Sequence, residues 1–573
     1  MSPAAADHHG RSGDTAALQA PRAAPVTVSF YGGLGEIGCN MATVEVGGRI
    51  AVLDVGLSFP DVAHYGIDLI LPDWARLRPR VEDLHCVVIT HGHEDHMGAL
   101  PFFLREFPHV PVYSSRLTLG LIASKLDEYP DVSADLREVE AGERISTGPF
   151  DIEFVAVAHS IPDGLAVAFH TPHGTIFHTG DFKLDQTPID GRVTDLPHIA
   201  ALGDDGVALL LCDSTNADIP GYVPTERRVG ATLREVFAQA RGRIIVTTFS
   251  SHVHRVQQTI DAALEVGRKI CFVGRSMLRT MPIARALGHL RYSDDDLVEI
   301  SQVDRMPREG TVVVCTGSQG EPYAALSLMA AGQHKQVKLA AGDTVVMASS
   351  VIPGNESAIY RSINGLFRQG ANVVHKGVAD VHVSGHATAD ELKFFHNIVR
   401  ASAVVPVHGE YRHLIAHAKL AQETGTAPEQ VFVCEDGDTV VLEDGFVQRG
   451  PSFPPGRVFV DGLGVGDVGN AVLRDREKLS SEGICVAVVV LDQHFRIVGE
   501  PEVVQQGIIY EVEQSVMLDL ARKILGDELR RDQGTGQEGD PAVIRRAVSA
   551  TLGRFWRDQV GRRPVILPLL VEV

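Results

Sequence analysis

From residue 26 to about residue 220 the chain repeats one pattern: a short apolar, often β-branched run, then a polar Gly-rich stretch. Val26 to Tyr31, Arg49 to Val55, Cys86 to Thr90, Ile152 to Ala158, Thr175 to His178 and Val207 to Cys212 read in this way and predict strands. Each carries a His, Asp or Gly at or just beyond its end, so reactive side chains gather at strand ends. From about 225 to 375 the rhythm changes. Runs at Arg243 to Thr248, Lys269 to Val273, Thr311 to Cys315 and Thr344 to Ala348 alternate with helical periodicity, which implies parallel strands with helices on both faces. Val381 to Val383 and Ala403 to Val407 then return to the first style. The expectation is one α/β domain (26-224 and 376-449) interrupted by another (225-375).

The Pro- and Gly-rich stretch 450-469 reads as a linker. Beyond it Glu482 to Leu491 and Phe495 to Val498 predict a strand pair, followed by amphipathic helices and a closing apolar strand. Residues 470-573 are therefore expected to form a small α+β domain, with a mobile loop at Gln533 to Pro541. Residues 1-25, rich in Ala, His, Gly and Pro, lack the basic start and apolar centre of a secretory signal and read as a disordered tail.

Composition narrows the class. Of 573 residues 44% are hydrophobic and 22% charged, the balance of an ordinary soluble globular chain. No apolar run of about 18 residues predicts a membrane span. Seven scattered cysteines with no Cys-x-x-Cys pair suit a reducing cytoplasm and argue against a disulfide framework or a thiolate metal site. A net charge of -21 lowers the odds of a nucleic-acid partner, yet whole-chain charge does not report a local groove.

The densest chemistry is His91-Gly92-His93-Glu94-Asp95-His96, directly after a buried strand. In extended backbone, residues i and i+2 face the same way, so His91 and His93 can grip one cation together. Asp95 and His96, at the turn into a helix over Met97 to Phe107, point to a neighbouring position. One short loop cannot close a four-ligand cation site, so further ligands must come from other strand ends. His159, Asp181 in Gly-Asp-Phe and His408 in Val-His-Gly-Glu stand where such ligands should.

His-x-His-x-Asp-His is the signature of the metallo-β-lactamase superfamily, and the chain resembles that superfamily. Asp213 in Cys-Asp-Ser-Thr-Asn, His386 in Ser-Gly-His-Ala and His408 in Pro-Val-His-Gly-Glu resemble its nucleic-acid-cutting β-CASP branch. Gly-Gly-Leu-Gly-Glu-Ile-Gly-Cys-Asn-Met (32-41) and Thr316-Gly-Ser-Gln-Gly-Glu321 look most like the bacterial ribonuclease J family, from about residue 26 to the C-terminus. The resemblance implies a four-layer αββα domain split by a β-CASP insertion, with a C-terminal domain mediating a homodimer or homotetramer. It further implies that His91, His93 and His159 hold one divalent ion, that Asp95, His96 and His408 hold another, and that Asp181 bridges them. Zinc suits the His-rich set, and manganese or magnesium suits the carboxylates. Asp54 reads as orienting a ligand histidine.

A metal pair about 3.5 to 4 Å apart implies in-line attack of water on phosphorus. His386, positioned by Asp213, is the candidate acid for the leaving 3′ oxygen. His382, Val383, Ser384, Gly385 and His386 resemble the family's phosphate-binding stretch. Ser250, Ser251 and His252, at the expected start of a helix, are candidates for binding phosphate, or either serine for a plain N-cap. Together they imply single-stranded RNA with a 5′ monophosphate as substrate, cut from that end or internally, in RNA maturation and decay with further protein partners. Asp461, with carbonyls near Tyr65 and Ile67, is a candidate for a structural cation. The Arg-rich stretch 545-563, with Phe555 and Trp556, can touch RNA or form a solvated helix whose aromatic side packs into a subunit contact.

Three alternatives stay open: a DNA nuclease of the same superfamily, a small-molecule metallo-hydrolase, and a scaffold without turnover. About 150 inserted residues, enough for a domain, argue against the small-molecule hydrolase.

Overall fold

The computed structural model describes residues 24–61, 64–321, 323–351, 355–509, 514–533 and 540–573. The expected tail up to residue 23 and most of the expected loop 533-541 lie outside the described residues. The described residues form two compact units, one within 24–58 and 71–457 and the other within 59–70 and 458–573.

The larger unit is built on two facing sheets. One has eight strands and runs from Phe446–Arg449 through Val26–Gly32 and Arg49–Leu53 to Leu84–Val88, Val112–Ser114 and Leu136–Glu138. The other has six, with Ala403–Val407, Val207–Asp213, Gly174–His178, Leu165–Thr171, Phe150–Ala156 and Arg144–Thr147 side by side. Val28, Val44, Leu53 and Val88 of the first sheet and Phe154, Val167, Ile176, Leu209 and Val405 of the second share one core. A fully buried side chain of this kind contributes about 1.5–3 kcal/mol, so the alternation itself holds the sandwich together.

Helices cover both outer faces. Val207–Asp213 is buried along its whole length because its other side meets helices Leu196–Asp205, Ala389–Val399 and Tyr411–Glu423 through Leu210 and Cys212. On the eight-stranded sheet, helix Leu100–Glu106 lies in the crossover between the parallel strands Leu84–Val88 and Val112–Ser114. The inner face is already filled, so this helix packs outside. The architecture is the αββα metallo-β-lactamase sandwich.

The insertion is a five-stranded, all-parallel sheet ordered Lys269–Val273, Thr311–Cys315, Ile244–Thr247, Thr344–Met347 and Asn372–Val374. Separate apolar clusters fill its two faces, as the continuous runs predict. Val381 to Val383, expected as a strand, is irregular backbone instead. Val381 N donates locally to the Ala379 carbonyl at 2.8 Å, and fully buried Arg255 lies 3.4 Å from the Val383 carbonyl.

In the smaller unit Ile484–Leu491 pairs with Glu502–Gln506 and, in parallel, with Val565–Glu572. Phe495 to Val498 makes only an isolated bridge to Leu491, so the expected pair is displaced by one segment. Part of the expected linker is ordered, with Val460 and Asp461 paired to Val465 and Gly464. Phe555 and Trp556 are buried in this unit's own core rather than in a subunit contact. Several arginines around them are paired: Arg554 with Glu528, Arg522 with Glu502 and Arg530 with Glu500. At two of the residues expected around a structural cation, Arg476 donates to the Tyr65 carbonyl at 3.0 Å and to Asp461 Oδ2 at 2.5 Å.

Candidate metal centre

Strands Arg49–Leu53 and Leu84–Val88 are parallel, as are Gly174–His178, Val207–Asp213 and Ala403–Val407. Phe150–Ala156 runs in the same sense as Gly174–His178, because both are antiparallel to Leu165–Thr171. Asp54, His91, His159, Asp181, Asp213 and His408 all stand at or just beyond the carboxyl ends of these strands, the usual place for ligands in such sheets.

The His91 to His96 turn is fixed by its own backbone. Asp95 and His96 sit in the short helix Glu94–Met97, whose orphan carbonyls are taken by the neighbouring loop. Asn40 N donates to Asp95 O, Val55 N to His96 O and Leu57 N to Glu94 O, at 2.7–3.1 Å. A Cβ on Gly56 would lie 1.7 Å from the Asp95 carbonyl oxygen, so this approach requires glycine. On the opposite side, Leu34 and Gly35 of the Gly-rich loop pair with Gly409 and Glu410 and brace His408. Asp54 and His408 both hold left-handed backbone, at φ 58° and 55°, a cost accepted where position matters.

Two ligand sets result. In one, His91 Nε2 and His159 Nε2 lie 3.0 and 3.2 Å from His93 Nδ1, and 3.5 and 3.7 Å from Asp181 Oδ2. In the other, Asp181 Oδ2 is 3.3 Å from His96 Nε2 and 3.5 Å from His408 Nε2. Asp95 Oδ2 completes it, 3.3 Å from His408 Nε2 and 3.7 Å from His96 Nε2. A tetrahedral ion with bonds of about 2.0–2.1 Å has ligand-to-ligand edges of about 3.3 Å. Both sets match that spacing, and Asp181 belongs to both.

The rest of each imidazole is tied down. His96 Nδ1 donates to Asp54 Oδ2 at 2.8 Å, and Asp54 also accepts from Thr90 N and Oγ1. His91 Nδ1 donates to Thr90 Oγ1 at 3.0 Å, His159 Nδ1 to the Gly385 carbonyl at 2.7 Å, and His408 Nδ1 to Thr215 Oγ1 at 2.5 Å. These partners fix the tautomer and aim a lone pair into the pocket.

Electrostatics favour a cation there. Burial pushes the pKa of His91 and His159 well below normal and that of His93 down to about 4, which leaves all three neutral. Burial also works against charge on His96 and His408, but the neighbouring carboxylates outweigh it. Asp181, Asp95 and Asp54 hold His96 well above its usual value, and Asp181, Asp95 and Asp213 push His408 up to about 9. Asp95 and Asp181 stay ionised despite burial because histidines surround them. A divalent ion replaces such protons readily.

Beside the ligands, His386 Nδ1 donates to Asp213 Oδ2 at 2.8 Å. Asp213 Oδ1 accepts from Thr215 N and Oγ1 at 3.0 and 2.9 Å. Asn216 Nδ2 donates to Ser384 Oγ at 2.7 Å and to the His386 carbonyl at 3.0 Å, which joins the 382–386 stretch to the Asp213 loop. His252, at the start of helix Val253–Glu265, is buried with neither ring nitrogen hydrogen-bonded among the described residues, and its Nε2 lies 3.9 Å from Glu226 Oε2. Neither Ser250 nor Ser251 caps that helix; His252 is the N-cap residue, without a side-chain bond.

Several residues of this site went unread in the sequence. Arg255 is fully buried and forms a bidentate pair with Glu226 at 3.0 and 2.9 Å. It also meets His382 Nδ1 and the Ala348 carbonyl, each at 2.6 Å, and so links the His252 helix to the 382–386 stretch. Asn40 Nδ2 donates to the Asp95 carbonyl at 3.0 Å. Its place at the end of the Gly-rich loop is the one signal that marked it.

Known proteins share this framework. The family descriptions "Ribonuclease J, beta-CASP domain" and "Ribonuclease J C-terminal domain" match residues 241–366 and 471–573. "Zn-dependent metallo-hydrolase RNA specificity domain" matches residues 370–434 and "Beta-lactamase superfamily domain" residues 59–202. The chain is 45% identical to Ribonuclease J of Mycobacterium tuberculosis over 546 residues, covering 95% of this chain and 97% of the relative. It is 39% identical to Ribonuclease J of Thermus thermophilus (96% and 95% covered) and 38% to Ribonuclease J2 of Bacillus subtilis (96% and 99%). A crystal structure of a protein of unknown function from Enterococcus faecalis V583 is similar in fold. It has a TM-score of 0.51 at 17% identity and covers 73% of this chain and all of that one.

Proposed function

This chain belongs to the ribonuclease J family and is a metal-dependent ribonuclease of the metallo-β-lactamase superfamily; we propose that it uses two divalent ions to hydrolyse single-stranded RNA from a monophosphorylated 5′ end and internally. The observation that carries this reading is the pair of four-ligand sets sharing Asp181. His91, His93 and His159 would hold one ion and Asp95, His96 and His408 the other, with zinc favoured by the five imidazoles. When bound, such ions draw charge from the phosphoryl oxygens and lower the pKa of a nucleophilic water.

The chain's own groups supply the rest. His386, held by Asp213, donates the proton that the leaving 3′ oxygen requires. Ser384, Gly385 and His386 stand beside it to receive the scissile phosphate. His252 and His382, joined through Arg255, form the place for the terminal 5′ phosphate. Burial, with Arg255 next, keeps both imidazoles well below their usual pKa.

The test is timed digestion of 5′-labelled RNA bearing a monophosphate or a triphosphate, beside a matched DNA strand. Early mononucleotide release from the monophosphate form alone is expected, with slower internal fragments from both RNAs. Equal exonucleolytic rates on the two 5′ ends would sink the end-recognition reading, and equal rates on DNA would sink the choice of RNA.

The reading extends to assembly and place. In the smaller unit Val486, Val488 and Val490 share a sheet face with exposed Val504, Leu567, Leu569 and Val571, which supports a homodimer or homotetramer. Sedimentation of wild type against Leu569→Lys tests it. All seven cysteines are buried, in keeping with work in the cytoplasm alongside other RNA-decay proteins. Among the described residues no helix is long and apolar enough to cross a membrane.

A further inference from the structure

We propose that a buried chain of hydrogen bonds, His396 to His417 to Ser214, positions the Asp213–His386 pair for proton donation, so that His417 and Ser214 act as positioning residues. This rests on the reading of His386 as the acid.

The chain begins where two helices follow the two histidines that end Ser-Gly-His and Pro-Val-His. Helix Ala389–Val399 starts three residues after His386, and helix Tyr411–Glu423 three residues after His408. Each helix turns a histidine inward. His396 and His417 are 5% and 0% exposed, their Nε2 atoms are 2.9 Å apart, and their rings meet edge to face at 5.1 Å. His417 Nδ1 then lies 2.9 Å from Ser214 Oγ, which reaches the Cys212 carbonyl at 3.2 Å. Asp213 is the residue between Cys212 and Ser214.

One proton arrangement is consistent with all three contacts. Ser214 donates to Cys212, so it accepts from His417 Nδ1–H. His417 Nε2 then carries the lone pair and accepts from His396 Nε2–H. Both rings stay neutral, because Leu392, Phe395, Val399, Leu420 and Ala421 make the surroundings apolar and burial depresses both pKa values. Buried hydrogen bonds linked in this way resist rotation of the groups they join.

The consequence falls on the acid. The backbone of Asp213 cannot shift without dragging Ser214 off His417, and the carboxylate it carries sets the ring plane of His386. A shift of about 1 Å at a reacting group costs on the order of 100-fold in rate. Two buried histidines facing each other within a helical layer have no structural need that a Leu pair would not meet. Two helices locked to a strand end that carries the acid's partner do need a directional bond.

The experiment compares RNA with a nucleotide p-nitrophenyl phosphodiester, whose leaving group departs without a proton. The variants are Ser214→Ala, His417→Leu, His396→Leu and the conservative His417→Gln, with zinc content and melting temperature measured on each. We expect Ser214→Ala and His417→Leu to lower kcat on RNA by about 10- to 100-fold. Rates on the activated ester should stay within about twofold, with wild-type zinc content, since no proton is then required. His417→Gln, which keeps a donor and an acceptor, should restore most of the RNA rate. Equal losses on both substrates, or a lowered melting temperature with unchanged kcat on RNA, would overturn the proposal. Ser214→Ala, a small change, keeps the test decisive if a histidine variant fails to fold. His386→Ala in the same assay separates the two ideas. If it loses RNA turnover selectively while Ser214→Ala and His417→Leu do not, only the positioning chain fails; if it does not, the acid assignment fails.

Discussion

Asp213 Oδ2 and His386 Nδ1 are 2.8 Å apart although 173 residues separate them in sequence. Burial acts to lower the His386 pKa, but the charge and hydrogen bond of Asp213 outweigh it and hold the value above normal. A histidine raised in this way remains an imidazolium to higher pH, so turnover should fall as pH rises through that value. Asp213→Asn removes the charge and should move this limb to lower pH, with RNA turnover reduced by about 100-fold or more. A profile of kcat against pH for the two proteins checks both the direction and the size.

Asp54 touches no reacting atom and yet holds His96 and Thr90 together, and Thr90 in turn holds His91. One carboxylate thereby orients a ligand in each set. Asp54→Ala should weaken zinc affinity by about 10- to 100-fold, as loss of such outer partners does. Competition against a zinc-binding dye on the folded variant measures this directly, and an unchanged affinity would remove Asp54 from the scheme.

What could be read in the sequence, and what could not, follows from locality. His91, His93, Asp95 and His96 are visible because four side chains able to bind a metal crowd six positions, a density that a solvated loop rarely has. His159, Asp181 and His408 gain meaning only beside that cluster, since each alone resembles a hydrogen-bonded strand end. Asp213 and His386 carry no local pattern at all, and family resemblance alone pointed to them. Arg255 stayed hidden because an Arg near a helix start reads as a surface residue; its burial depends on Glu226, 29 residues away. Val381 to Val383 has strand-like composition, but its backbone bonds locally, Val381 N to the Ala379 carbonyl, and tertiary context overrides the propensity. The alternation of strand and helix from 225 to 375 was legible because a parallel sheet buried on both faces must be apolar throughout.

Arg255 and Glu226 form a buried pair whose partners include His382. Removing one member strands the other, which costs about 3–5 kcal/mol. Glu226→Ala should therefore lower stability by that order, whereas Glu226→Leu with Arg255→Met should recover much of it. The double variant loses the link to His382, so its preference for 5′-monophosphate RNA should weaken even where stability returns. Denaturant titration and the two-substrate digestion read these effects separately.

Glu36 and Asp436 bring two carboxyls together under the Gly-rich loop, where Leu34 N donates to Asp436 Oδ1 at 3.0 Å. Burial, then the charge of Asp436, pushes the Glu36 pKa up to about 7, although Arg457 opposes this. A carboxyl raised in the folded state binds its proton more tightly there than in the unfolded chain. Its contribution is fully present below the unfolded value of about 4.3 and is lost as pH rises toward 7. Glu36→Gln, neutral throughout, should be more stable than wild type at pH 8, and the gap should close at pH 5. Melting curves at the two pH values test the sign.

Gly385 joins the two halves of the site, since its carbonyl accepts from His159 Nδ1 at 2.7 Å. Its α-carbon comes so close that an added Cβ would lie 2.6 Å from His159 Cε1 and 3.0 Å from Ser160 Cβ. Neither neighbour is a free-swinging side chain: His159 is tied at Nδ1, and its Nε2 faces His93 and Asp181. Gly385→Ala must therefore displace either His159 or the 384–386 backbone by several tenths of an ångström. The first outcome opens one ligand set and lowers zinc occupancy; the second moves His386, the next residue, away from Asp213. Both predict a loss of turnover on the order of 100-fold from a single methyl group. Zinc content tells them apart, with reduced occupancy pointing to His159 and full occupancy to His386. Normal turnover at full occupancy would mean that the close packing of Gly385 against His159 does not set the geometry of this site.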